Sequence, residues 1–106
     1  MDIRKLSLIL DRAVRAGLLE TVSRDRANTA ALLAYLAEAD ARRLYVPLGF
    51  PSTYLYCVRE LRMSEDAAFK RIRVARLARS HPMILDRVAD GRLNLNSVRL
   101  LAPHLT

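Results

Sequence analysis

Apolar residues recur at three- and four-residue intervals along most of this chain, and the places where that rhythm fails mark the ends of helices. Ile3, Leu6, Leu10, Ala13, Val14 and Leu18 share one stripe, with Arg4, Asp11, Arg12 and Arg15 elsewhere, which predicts an amphipathic helix over residues 2–19. Leu8 and Ile9 lie off that stripe, so the apolar face is wider than one packing contact needs. Either this helix packs between two others, the reading slightly favoured, or Leu6, Leu8, Ile9 and Leu10 form part of a dimer interface. Residues 20–28 are polar, with Thr21, Ser23 and Asp25 all able to cap a helix, and read as a connection. A long helix over about 25–43 is expected next, with Ala30, Leu33, Leu36, Ala37 and Leu44 as its core stripe. Glu38 and Arg42 stand four apart in the favourable order.

The strongest interruption is residues 45–51, where Pro47, Gly49 and Pro51 punctuate a loop and Leu48 and Phe50 are expected to plug it against the core. Residues 52–79 then read as two helices around a tight turn, and the chain is organised around them. The first spans about 52–61, the turn uses Arg62, Met63 and Ser64, and the second begins at Glu65 with Ser64 as N-cap. Ala68, Phe69, Ile72, Ala75 and Leu77 or Ala78 carry the apolar face of that second helix, and Lys70, Arg71, Arg73, Arg76 and Arg79 occupy much of the rest. This is the sequence form of a helix-turn-helix, whose second member lies in a DNA major groove; the plainer alternative is a helical hairpin with a solvated arginine face.

Beyond it, Pro82 suits the start of a short helix with Met83, Leu85, Val88 and Ala89 on its apolar side and Gly91 as the left-handed residue at its end. Asn94 or Asn96 caps a last helix holding Val98, Leu100 and Leu101 and stopped by Pro103, with Leu93 and Leu95 tying the connection to the core. Ending at Thr106, just after that stop, the chain reads as though more normally follows. The expected fold class is all-α, a bundle of about six helices with a helix-turn-helix-like core. It forms a single domain over residues 1–106, with N-terminal helices in 1–45 and the helix-turn-helix-like part in 52–106.

Composition agrees: apolar residues make up 52% of 106 while Gly and Pro together number seven, which excludes a disordered or low-complexity chain. The formal charge of +7 points to an anionic partner, with double-stranded DNA ahead of an acidic membrane surface. Only Lys5 and Lys70 are lysines, and a general preference for arginine accounts for part of the surplus. One cysteine, Cys57, rules out an internal disulfide and suits a reducing cytoplasm; beside Val58 and Leu61 it reads as a small buried hydrophobe. No segment approaches the roughly 20 apolar residues of a membrane span, so no membrane partner is expected.

Residues that carry chemistry are few. His81, His104 and Cys57 fall at no metal-ligand spacing, the three glycines form no phosphate loop, and Glu38 and Asp40 are two apart on a helix, too divergent for a paired-carboxylate site. No catalytic residue, metal or cofactor is expected.

Two resemblances add to this. The stretch LRMSEDAAFKRIRVARLARSHPMILDRVADGRLNLNSVRLLA, residues 61–102, resembles the helix-turn-helix region of ParB-type partition proteins: a Leu-x-x-Ser turn, a basic second helix, a Pro-started helix, and Gly-Arg-Leu before a capped helix ending in Leu-Leu-Ala. Such turns usually place Gly where this chain has Arg62. From about residue 32, LLAYLAEADARRLYVPLGFPSTYLYCVRELRMSEDAAFKRIRVARLARSHP and the closing LLAPHLT look like the N-terminal helical region of bacterial HNH endonuclease family proteins. That resemblance implies a bacterial domain, cytoplasmic, that precedes a C-terminal nuclease module in a longer parent. The HNH signature itself, paired histidines and an asparagine around a metal, is not in this chain, so the chain alone is not expected to be an enzyme. The resulting expectation is a domain that binds double-stranded DNA through Lys70, Arg71, Arg73, Arg76 and Arg79 and positions a nuclease; the alternative is a protein-interaction or homodimerisation module without direct DNA contact.

Overall fold

Six α-helices and a closing 3-10 turn make up the regular structure of residues 2–104, which the computed structural model describes: α1 (Ile3–Leu6), α2 (Asp11–Ala41), α3 (Thr53–Arg59), α4 (Glu65–Ser80), α5 (Met83–Ala89) and α6 (Leu95–Leu101), then Ala102–His104. No strand occurs among the described residues, and the fold is all-α, as the periodicity predicts. Residues 105 and 106, the end of the LLAPHLT stretch, lie outside the described residues.

The N-terminal third departs from expectation. The helix expected over 2–19 is broken: α1 is one turn, and the Ser7 hydroxyl donates to the Arg4 carbonyl, a local bond that competes with helix continuation. The connection expected over 20–28 does not form, and α2 runs through it without interruption for 31 residues. The would-be caps serve the helix surface instead. The Thr21 hydroxyl donates back to the Gly17 carbonyl, and Glu20 pairs with Arg24 one turn on. With no proline between Asp11 and Ala41, nothing forces a break, and polar residues are as suitable for an exposed helix as for a loop.

At 1.5 Å per residue α2 is about 46 Å long, which accounts for the 49 Å long axis of the molecule. Its two halves have different surroundings. Ala30, Leu33, Leu36 and Ala37 of the C-terminal half are buried against α4 and α5, whereas every residue from 2 to 28 is exposed. Packing of the first helix within its own chain, the slightly favoured expectation, is therefore overturned.

Helix α4 is the centre of the bundle and touches α2, α3, α5 and α6. Ala68, Ile72, Val74, Ala75 and Ala78 are buried on it, and their small average size allows four neighbours to approach. Ile84, Val88 and Val98 complete its apolar surroundings together with Cys57, which is fully buried. Four residues expected in the core lie outside it: Phe69, Leu44, Leu48 and Met83 are each about half exposed. Phe69 sits on the one side of α4 that has no helix against it. Leu44 and Leu48 belong to the turn that follows α2, where Tyr45 and Phe50 are half-buried and Phe50 stands edge-on to Tyr56 with ring centroids 5.6 Å apart. On α5 the inward residues are Ile84 and Val88, with Leu85 and Ala89 beside them.

The local signals at helix ends hold. Ser52, Ser64 and Asn94 each accept a hydrogen bond from the amide three residues on, at 3.1, 3.1 and 2.9 Å. Gly91 has φ +85° at the end of α5, and a Cβ there would meet the Arg26 guanidinium at 2.7 Å. Two arginines also adopt left-handed backbone: Arg43, closing α2, with φ 53°, and Arg62, in the α3–α4 turn, with φ 58°. Position 62 thus has the conformation that favours glycine, and the turn is held by a hydrogen bond that the Met63 N–H donates to the Cys57 carbonyl.

Candidate interaction surfaces

Three surfaces could engage a partner. The first is the basic side of α4, and the structure separates its five cations. Arg76 and Arg79 lie against α2. Arg76 donates two hydrogen bonds to Asp40, at 2.9 and 3.0 Å, and Arg79 donates one to Glu38 at 3.3 Å. Lys70 is paired with Asp66 one turn earlier, at 3.1 Å. Arg71 is half-buried and reaches its own helix at the Ala67 carbonyl. Arg73 alone of the five is exposed with no ion pair among the described residues. The N-terminal turn of α4, the part of a recognition helix that meets base edges, carries Glu65 and Asp66.

Asp40 is the meeting point of three elements. Besides Arg76 it accepts a hydrogen bond of 2.6 Å from Thr53, a buried residue in the first turn of α3. The Arg76 hydrogen bonds hold the Asp40 carboxyl below its ordinary value, outweighing partial desolvation, with the Thr53 bond adding to the effect; the same pair raises Arg76. Glu38 is also lowered, first by its hydrogen bond from Arg42 at 2.7 Å and next by that from Arg79. The two acids point to different partners, as their spacing requires. Burial pushes the Cys57 thiol up, and the nearby Asp40 charge adds to that, so it is an inert core group.

The second surface is a groove of about 810 Å³ along the exposed side of α4, lined by Ser52, Tyr54, Phe69, Ile72, Arg73, Arg76, Leu77, Ala102 and Pro103. It is mainly apolar with two guanidinium groups at its margin. A smaller cleft of about 410 Å³ lies between α2 and the α5–α6 connection and includes Arg26, Arg71 and Asn94. No cluster of three potential metal ligands occurs among the described residues, and no helix among them is long and apolar enough to cross a membrane.

The third surface is apolar and lies in the N-terminal segment. Ile3, Leu8, Leu10, Leu18 and Leu19 are 63–84% exposed, and Leu6, Ile9, Val14 and Val22 are 38–45% exposed. The dimer-contact candidates Leu6, Leu8, Ile9 and Leu10 all belong to it. Sequence reasoning named those four but missed that exposed aliphatic residues continue along α2 to Val22, because it expected a helix end at residue 19. Comparison with known family models, curated proteins and solved structures finds no match for this chain.

Proposed function

We infer that this domain is a protein-interaction module whose working surface is α1 and the N-terminal half of α2, carried on a helical bundle that serves as its base. One observation carries the reading: nine large aliphatic residues within the first 22 positions are exposed, four in α1 and the turn after it and five from Leu10 to Val22, where every residue from 2 to 28 is exposed. So many large aliphatic side chains left exposed in one segment are characteristic of a surface that is covered in the working assembly. Helix physics points the same way, since an isolated helical segment of this length is marginal in water and gains its stability from packing of an apolar face. Amide hydrogen exchange on protein held as single chains tests this: residues 11–28 are expected to exchange much faster than residues 30–40.

A second reading, contact with double-stranded DNA, is favoured by the charge of +7 and by the exposed Arg73 beside the groove on α4. On this reading the domain is the DNA-positioning part of a longer nuclease-like parent, and the paired cations Lys70, Arg76 and Arg79 leave their acids to reach phosphate. A salt titration of binding to a random-sequence duplex measures it. A fall in affinity with salt that becomes shallower by about one unit of log–log slope in Arg73→Gln supports the contact, and absence of binding at low salt removes it.

A further inference from the structure

We propose that the groove on α4 is a binding site for a small anionic amphiphile, a ligand with an apolar body and a single carboxylate. The proposal does not depend on the N-terminal surface and stands apart from both readings above.

The lining defines the apolar part of the ligand. Phe69, Ile72, Arg73, Arg76 and Leu77 follow one another at alternating spacings of three and one along α4, so one face of one helix supplies them all. Tyr54 from the first turn of α3, with Ala102 and Pro103 from the turn after α6, extends the apolar lining. Ile72 is buried, whereas Phe69 is 54% exposed, an aromatic side chain open to whatever enters the groove. From Phe69 to Leu77 the lining runs about 12 Å along α4, at 1.5 Å per residue. The volume of about 810 Å³ falls within the range of roughly 300–1,000 Å³ typical of small-molecule sites. Both dimensions suit one small molecule.

Charge defines its polar end. The lining carries two guanidinium groups and no carboxylate. Arg76 is held by Asp40 through Nε and Nη2, which uses two of the five N–H donors of a guanidinium and leaves Nη1 uncommitted. Arg73, one turn earlier, is exposed with no ion pair among the described residues. A ligand carboxylate at these two arginines accepts charge-assisted hydrogen bonds, while its apolar body leaves water against Phe69, Ile72 and Leu77. A cationic head group is repelled at the same place, and a neutral one forgoes the charged contact.

NMR shift mapping of the intact chain with dodecanoate, kept below the concentration at which it forms micelles, tests the site. Saturable shifts are expected at the amides of Tyr54, Phe69, Arg73 and Leu77, with residues 3–22 unmoved, which separates the groove from adsorption on the exposed N-terminal aliphatic residues. Dodecanol is expected to bind about tenfold more weakly, the worth of a hydrogen bond to a charged group, and dodecyltrimethylammonium not at all. Arg73→Gln is expected to bring the dodecanoate affinity down to that of dodecanol and to leave dodecanol unchanged; circular dichroism checks that the variant keeps its helices. Equal affinity for dodecanoate and dodecanol overturns the proposal, as do shifts confined to residues 3–22 or a folded Arg73→Gln variant that binds dodecanoate like the native chain. An acidic amphipathic peptide that moves the groove amides when dodecanoate moves none also overturns it, and assigns the groove to a partner helix instead.

Discussion

Leu33→Ala is expected to lower the stability of the domain by about 3 kcal/mol, the cost of removing a fully buried leucine and leaving a cavity. Leu33 has no exposed surface and lies where the packed half of α2 meets the core of α4 and α5. Three of the five buried residues of α4, the helix packed against this part of α2, are alanines, Ala68, Ala75 and Ala78, which have no rotamer change with which to close a gap, so relaxation recovers little. At about 4–8 °C per kcal/mol for a domain near this size, the melting temperature is expected to fall on the order of 10–20 °C. Leu18→Ala removes the same atoms from the same helix, yet in protein held as single chains it is expected to change the melting temperature of the bundle by no more than about 2 °C. Leu18 is 63% exposed and substitutions at such sites cost little. Thermal melts followed by circular dichroism compare the pair; equal losses from the two positions contradict the division of α2 into a packed and an unpacked half.

Asp40→Ala is expected to cost about 1–2 kcal/mol, since it removes the acceptor of the Thr53 hydroxyl and of the bidentate Arg76 contact in one step. The Arg76 side chain is 62% exposed, so solvent screens much of the charge attraction. The larger share of the loss comes from Thr53, which is buried and left without its partner. A pH dependence follows from the same geometry. Asp40 is held below its ordinary 3.8 by the Arg76 hydrogen bonds, so the unfolded chain takes up its proton first as pH falls. Its contribution is fully present above about pH 5 and is lost as pH drops through the folded value below 3.8. Urea midpoints measured from pH 6 to pH 2.5 are expected to fall more steeply for the native chain than for Asp40→Asn. Parallel curves contradict the role given to this carboxylate.

These two residues also show where reading from sequence succeeds and where it stops. Leu33 is legible because burial repeats along its own helix, in step with Ala30, Leu36 and Ala37. Ser64, Asn94 and Gly91 are legible for a similar reason: caps and left-handed turns are decided within three or four residues. Asp40 is not. Arg76 stands 36 residues away and Thr53 thirteen, and no local pattern tells a cation that will meet phosphate from one that clamps two helices of its own chain. The stretch from Glu20 to Asn28 was ambiguous on physical grounds, because residues that can cap a helix can also line its exposed side. Phe69 failed for the reverse reason. It keeps helical spacing with Ile72, but α4 is covered on every side except the one where Phe69 lies.

The division of α2 is the claim on which the interaction reading depends. Amide hydrogen exchange in Leu18→Glu, a variant whose apolar stripe is interrupted by a charge, tests it most directly. Residues 11–28 are expected to exchange on the order of a hundredfold faster than residues 30–40, because they open by local fraying while the packed half opens only with the core. Equal protection of the two halves in that variant contradicts the account, since it means that the N-terminal half is held within its own chain and offers no surface to a partner.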